Sequence, residues 1–321
     1  MSINAGALVF ALAVLTNGYL ASGSWDKTIT IWNTTTGSEI RNLTGHTDWV
    51  QSLAVLPDGY LASGSFLEIK IWDTTIGSEI RTLTGHTDWV YALAVLSNGY
   101  LASGSLDTTI KIWNTDTGSE IRNLTGHTSQ IRSLAVLPNG HLASGGSGIE
   151  RIIKIWNITG GTLIRNITGH TGGVYFLAAL PNGYLASGST DKTIKIWNTT
   201  TGSEIRTLRG HNGTVLSLAV LPNGYLASGS SDLTIKIWNT DTGSEIRNLT
   251  GHTNYVRSLA VLPNGYLASG SDDTTIKIWD TTTGTEMRNL IGHTNIVFSL
   301  TVLPNGYLAS GSWDNTIKIW N

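Results

Sequence analysis

The chain has 321 residues, a formal net charge of −2 and only 13% charged side chains, so no broad basic surface is available to nucleic acid or an anionic membrane. Its 37 glycines, 6 prolines and regular apolar runs are too patterned for a disordered chain. With no cysteine, a disulfide framework, a thiolate metal site and a cysteine nucleophile are all excluded.

At the N-terminus AGALVFALAVL resembles the apolar core of a secretory signal, yet MSIN supplies no lysine or arginine ahead of it. VFALAVLTNGYLASGS (9–24) also aligns with the internal VQSLAVLPDGYLASGS (50–65), so the segment reads as a first strand and not a leader. No apolar run approaches the roughly 20 residues of a membrane-spanning helix. Further along, tryptophan recurs at 32, 72, 113, 156, 197, 238, 279 and 320, a period near 41. Each period holds four short runs separated by turn residues. They are strand a (VxSLAVL), a Pro-Asn-Gly turn, strand b (YLASGS), a turn with Asp, strand c (TIKIW), a Thr-rich turn with Gly, and strand d (SEIRNL). Alternation without helical periodicity predicts antiparallel meanders, and sheets this small must stack to bury both faces. The small residues of Leu-Ala-Ser-Gly-Ser allow close approach between sheets. Fourteen of the 20 lysines and arginines fall at the strand c lysine or the strand d arginine, among them Lys70, Lys111, Arg41 and Arg81, and read as a solvated outer edge.

Gly-His followed by Trp-Asp or Trp-Asn at this period resembles the WD40 repeat, and the resemblance covers essentially the whole chain. It implies an all-β, WD40-type β-propeller of eight blades, each a four-stranded antiparallel sheet, within a single domain over 1–321. The blades are expected at about 7–43, 50–83, 90–124, 131–167, 174–208, 215–249, 256–290 and 297–321. Eight a-b-c groups but only seven d strands predict a last blade of three strands, whose open edge offers a route to self-association. A seven-bladed ring plus an extra unit is the alternative.

Five units repeat a Ser-His-Asp-Trp constellation: His86, Ser103, Asp107, Trp113; His170, Ser187, Asp191, Trp197; His211, Ser228, Asp232, Trp238; His252, Ser269, Asp273, Trp279; and His293, Ser310, Asp314, Trp320. Serine, histidine and aspartate together suit nucleophilic hydrolysis. Five copies without a nucleophile elbow instead match the buried hydrogen-bond chain that the resemblance implies, so no catalytic residue is expected. Histidines about 41 residues apart lack ligand spacing, and no metal or cofactor is expected. The second unit (SFLEIKIW) and the fourth (SGGSGIERIIKIW) lack the Asp, and the first lacks Gly-His. These three are expected to be looser, with 145–151 as a protruding loop that makes no phosphate cradle.

Specific recognition must come from positions where the units differ. One set lies three residues after the histidine, including Trp49, Trp89 and Tyr255. A second follows the first Val or Ile of strand a: Phe10, Gln51, Tyr91, Arg132, Tyr175, Arg257 and Phe298, among others. A third precedes the turn Asp, including Trp25, Leu106 and Trp313, with Phe66 nearby. All fall on d–a loops, strand a starts or b–c turns, which share one end of a meander. The four tryptophans outside the frame, Trp25, Trp49, Trp89 and Trp313, all belong to these sets. Filling space between sheets is the competing explanation, but a required volume would not shrink to Gly173 in an equivalent unit. The expected function is a non-catalytic scaffold binding a protein or peptide with apolar anchors and some acidic character, the arginines flanking the aromatics. The alternative is a glycan or small-ligand module with one pocket per unit. Eight Asn-x-Ser/Thr sequons, several just before Gly-His, would place glycans against the network, which favours a cytoplasmic chain.

Overall fold

The computed structural model describes every residue from Met1 to Asn321, and all its regular structure is strand. No helix is long and apolar enough to cross a membrane. Turn chemistry keeps the strands short. In the sixth repeat Asn223 Oδ1 accepts the Tyr225 N–H at 3.0 Å, and Gly224 takes a φ of 83°, a left-handed conformation that costs glycine little. Leu221 and Tyr225 close the hairpin with an N–H to O bond of 2.8 Å.

The strands group into two compact units, residues 1–126 with 298–321, and residues 127–297. Residues 127–297 hold four sheets, each a four-stranded antiparallel meander; the first runs Ile131–Val136, Leu142–Gly146, Ile153–Asn157, Thr162–Ile167. Strands b and c are buried along their length, and strand d is exposed or half-buried up to its buried last residue. The core lies between consecutive sheets, where Trp197 packs with Ile153, Ile155 and Leu177, and Trp238 with Ile194, Ile196 and Leu218. The strand b glycine sets the spacing. A Cβ at Gly188 would meet Val215 Cγ1 at 2.6 Å, and one at Gly145 would meet Val174 Cγ1 at 2.9 Å. Small residues in strand b are therefore a packing requirement.

Residues 1–126 with 298–321 hold three sheets. One is the meander from Val9–Val14 to Glu39–Leu43. In the next, the second and third repeats fuse into seven strands, because Ser78–Val95 runs unbroken from strand d of one into strand a of the other. The shortened SFLE turn causes the fusion. Phe66 pairs with Trp89 and Glu68 with Thr84, so the ladder continues through a segment that elsewhere leaves the sheet.

The last sheet corrects the expected three-stranded blade: it has four strands. Ser2–Asn4 pairs antiparallel with Thr316–Trp320, setting Ile3 opposite Ile317. The Met1 ammonium donates to Ile319 O at 2.8 Å, and Ile319 N–H donates to Met1 O at 2.9 Å. No SEIRNL-like segment is needed, because a ladder is built from main-chain groups and Ile3 alone packs into the core, beside Leu20 and Ile317. The edge expected to recruit a second copy is occupied.

The frame cations are likewise not a solvated edge. Lys195 is 6% exposed, with its ammonium 2.6 Å from Glu204 Oε2. Its burial is tolerable because a carboxylate stays beside it. The arginines of strand d reach the following repeat, Arg165 Nη2 donating to Thr200 O at 2.8 Å and Arg247 Nη2 to Thr282 O at 2.7 Å.

Candidate functional site

The repeated constellation closes each blade from within. In the fifth repeat the Trp197 indole N–H donates to Ser187 Oγ at 2.7 Å, and the Ser187 hydroxyl donates to His170 Nε2 at 2.7 Å. His170 Nδ1–H then donates to Asp191 Oδ2 at 2.7 Å, and Asp191 also accepts the Thr171 N–H, tying the b–c turn to the d–a loop. The networks of His86, His211 and His252 repeat this geometry. In the eighth repeat His293 is buried and Trp320 Nε1 donates to Ser310 Oγ at 2.9 Å.

Glutamates supply the carboxylates that seemed missing from the second and fourth repeats. His46 Nδ1 lies 3.0 Å from Glu68 Oε1, and His127 Nδ1 lies 2.5 Å from Glu150 Oε2. A side chain longer by one methylene absorbs the altered turn length, so these repeats carry the full network, and the missing carboxylate behind their expected looseness is corrected. Only the first repeat lacks the imidazole, leaving Ser22 Oγ to accept Trp32 Nε1–H at 2.8 Å. Gly145 and Gly146 are buried in strand Leu142–Gly146, which shortens the expected loop; its tip is Ile149, 83% exposed.

Burial pushes these aspartates up, but hydrogen bonds from histidine and threonine outweigh it and hold Asp107, Asp191, Asp232 and Asp273 well below the usual carboxylate range. The distances are those of a Ser-His-Asp triad, yet Ser187 has no exposed surface and its oxygen already accepts from the indole. Both imidazole nitrogens are engaged too, so neither is open to a metal.

The variable positions are assembled by main chain. The third-set N–H donates to the first-set carbonyl: Leu106 to Trp89 at 2.8 Å, Thr190 to Gly173 at 3.0 Å, Ser231 to Thr214 at 2.9 Å and Asp272 to Tyr255 at 2.9 Å. The second-set residue is the extra residue of a β-bulge. Val9 pairs with Ser24 and Ala11 with Gly23, leaving Phe10 unpaired, and Tyr91, Arg132, Tyr175, Leu216 and Arg257 are bulged in the same way. Side-chain identity can therefore change at these positions without disturbing the ladder.

Within residues 1–126 and 298–321 the variable aromatics form one continuous run. Trp313 stacks on Phe298 with centroids 5.6 Å apart, Phe298 meets Phe10 edge-on at 5.9 Å, and Phe10 stacks on Trp49 at 6.1 Å. Trp25 stacks on Trp49 at 3.5 Å, Trp89 follows at 5.3 Å, and Phe66 ends the run 5.4 Å from Trp89. Trp25 is 43% exposed, whereas Phe10 is buried at the centre of the run and the others are half-buried. Gln51, Tyr91 and Leu106 lie half-buried in the same unit. In residues 127–297 Arg132 sits 5.8 Å over Tyr175, and Arg257 sits 5.7 Å over an exposed Tyr255. Arg257 is also clamped by Asp272, Nε and Nη2 to the two carboxylate oxygens at 2.6 and 2.7 Å. Asp48 and Asp88 each directly precede a variable tryptophan.

The model of the WD domain, G-beta repeat, family matches residues 4–33, 37–76, 77–114, 118–157, 161–198, 202–239, 243–280 and 284–321. The crystal structure of the computationally designed Ika8 protein is similar at a TM-score of 0.88 and 34% identity, covering 98% of this chain and 96% of that one. Two curated relatives match locally. Nuclear distribution protein PAC1 of Coprinopsis cinerea is 56% identical over 34 residues, and PAC1-2 of Postia placenta 48% over 33. Those stretches take in 11% and 10% of this chain and 8% of each relative, less than one repeat. WD40 domains generally bind proteins and are usually non-catalytic. With eight repeats spread across an all-β fold of the propeller type, the chain belongs to the WD40 family.

Proposed function

We propose that this chain is a non-catalytic interaction scaffold, residues 1–321 acting as a single propeller domain. It binds a peptide or protein segment on the end formed by d–a loops and b–c turns. The observation that carries the reading is the run of seven aromatic side chains from Trp313 to Phe66, all at positions the repeat leaves free to vary. Frame residues satisfy the fold; these aromatics exceed what it requires, and clustered aromatics with a partly exposed indole are typical interface anchors. The partner surface takes in Phe10, Trp25, Trp49, Phe66, Trp89, Phe298 and Trp313, with Gln51, Tyr91 and Leu106 beside them. Arg132, Tyr175, Tyr255 and Arg257 form a second set. Affinity capture with the intact chain and a W25A/W49A variant tests this. A variant with unchanged circular dichroism should lose the partners, and retention of all of them refutes the placement.

A second reading is favoured by a separate observation at the opposite turns. Clefts of about 240 and 180 Å³ recur with equivalent linings, Tyr184 with Asn182 and Asn198, and Tyr100 with Asn98 and Asn114. An aromatic ring beside carboxamides suits a monosaccharide, one cleft per repeat. A glycan array on which nothing binds above a Tyr100→Ala/Tyr184→Ala control removes this reading. The family and the buried networks support a chain without catalysis, and no nucleic acid, membrane, metal or cofactor enters the proposed function; a cytoplasmic location remains part of the same proposal.

A further inference from the structure

The aromatic run carries a sign of charge that its fold does not require. Asp48 and Asp88 precede Trp49 and Trp89, and each uses one oxygen to accept the following N–H, at 2.9 and 2.8 Å. Asn254 and Asn295 perform the same turn for Tyr255 and Ile296 at 2.9 and 2.8 Å. A neutral amide therefore suffices, and the two carboxylates are surplus to the turn. Asp26 follows Trp25 in the one repeat without a histidine. Its Oδ1 accepts the Ser24 hydroxyl, the Thr28 N–H at 3.0 Å and the Thr28 hydroxyl at 2.7 Å, and the residue is exposed. Among the loops that carry this run, Lys27 is the only lysine or arginine, and its ammonium is tethered to Thr47 O at 2.9 Å. Arg257, read from the sequence as a cation awaiting an acidic partner, is already neutralised by Asp272.

Resting on the interaction surface just described, we propose that its occupant is a cationic segment, a peptide whose arginine or lysine lies against an indole while its charge meets Asp26, Asp48 and Asp88. Trp25 is 43% exposed with one face covered by Trp49, which leaves ring surface open to a guanidinium. An aromatic face attracts a cation, and carboxylates at its rim select that sign over the opposite one. Acidic peptides are repelled by the same rim.

Panning a random-peptide phage library over the full chain, W25A/W49A and D48N/D88N separates the possibilities. Asparagine preserves the turn, so D48N/D88N should match the parent in circular dichroism. Peptides enriched on the parent over W25A/W49A should carry arginine or lysine about threefold above the unselected library, and more weakly so in high salt. On D48N/D88N the apolar enrichment should persist while the arginine and lysine excess falls by about half or more, Asp26 and the indoles holding the remainder. An acidic or neutral enriched pool, or an excess unchanged on D48N/D88N, overturns the cationic assignment and leaves the surface standing. A pool indistinguishable between the parent and W25A/W49A overturns both.

Discussion

Replacing Ser187 by alanine measures what the buried hydrogen-bond chain contributes. The Ser187 hydroxyl has no exposed surface, accepts from Trp197 and donates to His170, both at 2.7 Å. Alanine strands a buried indole N–H and a buried imidazole nitrogen, each at about 1–3 kcal/mol, so the expected loss is about 2–6 kcal/mol. The first repeat supplies the control, because Ser22 serves Trp32 without a histidine. Ser22→Ala strands one group and should cost about 1–3 kcal/mol, the difference being the share of the imidazole. Urea denaturation by circular dichroism gives both values, and hydrogen exchange across Leu185–Ser189 should localise the larger one. Equal losses for the two variants would refute the argument that histidine extends the network energetically. So would a Ser187→Ala loss below about 0.5 kcal/mol.

Gly188→Ala drives a methyl to 2.6 Å from Val215 Cγ1 and should cost about 1–3 kcal/mol in the same denaturation assay. Thr274 holds a φ of 72° in its b–c turn, where the eighth repeat places Asn315 at 64°. Thr274→Asn should therefore raise stability by about 0.5–1 kcal/mol, since asparagine tolerates this region better than a β-branched residue. Asp191 is held below its ordinary value near 3.8, so its stabilising contribution is complete above that pH and is lost as the pH falls through the lowered folded value. Asp191→Asn should flatten the acid limb of a stability–pH curve and leave a less stable protein at neutral pH. Deleting residues 1–4 uncovers the edge of Thr316–Trp320, and light scattering should then show more association than the full chain gives.

How much could be read in advance depended on where the information resides. The period and the four strands were legible because the repeats are imperfect copies, so shared residues announce the frame and departures announce freedom; the buried Trp-Ser-His-Asp chain was expected from the resemblance to the WD40 repeat. The bulge at Phe10 and its equivalents was not legible, though the variability it permits was. Glu68 and Glu150 were missed because replacing aspartate in a shortened or lengthened turn depends on the reach of one extra methylene. Lys195 looked solvated in a charged strand, and only packing shows its stem buried with Glu204 at its end.

Fold class, the repeat and the division between constant and variable positions are readable along the chain, because short-range turn chemistry and a two-residue strand period are local properties. The remaining features depend on packing between distant segments. Ser2–Asn4 completes the last sheet through main-chain groups that carry no side-chain signature. The aromatics became one run only through pairings between distant segments. That Arg257 is already clamped by Asp272 is likewise a matter of distance that sequence spacing does not encode.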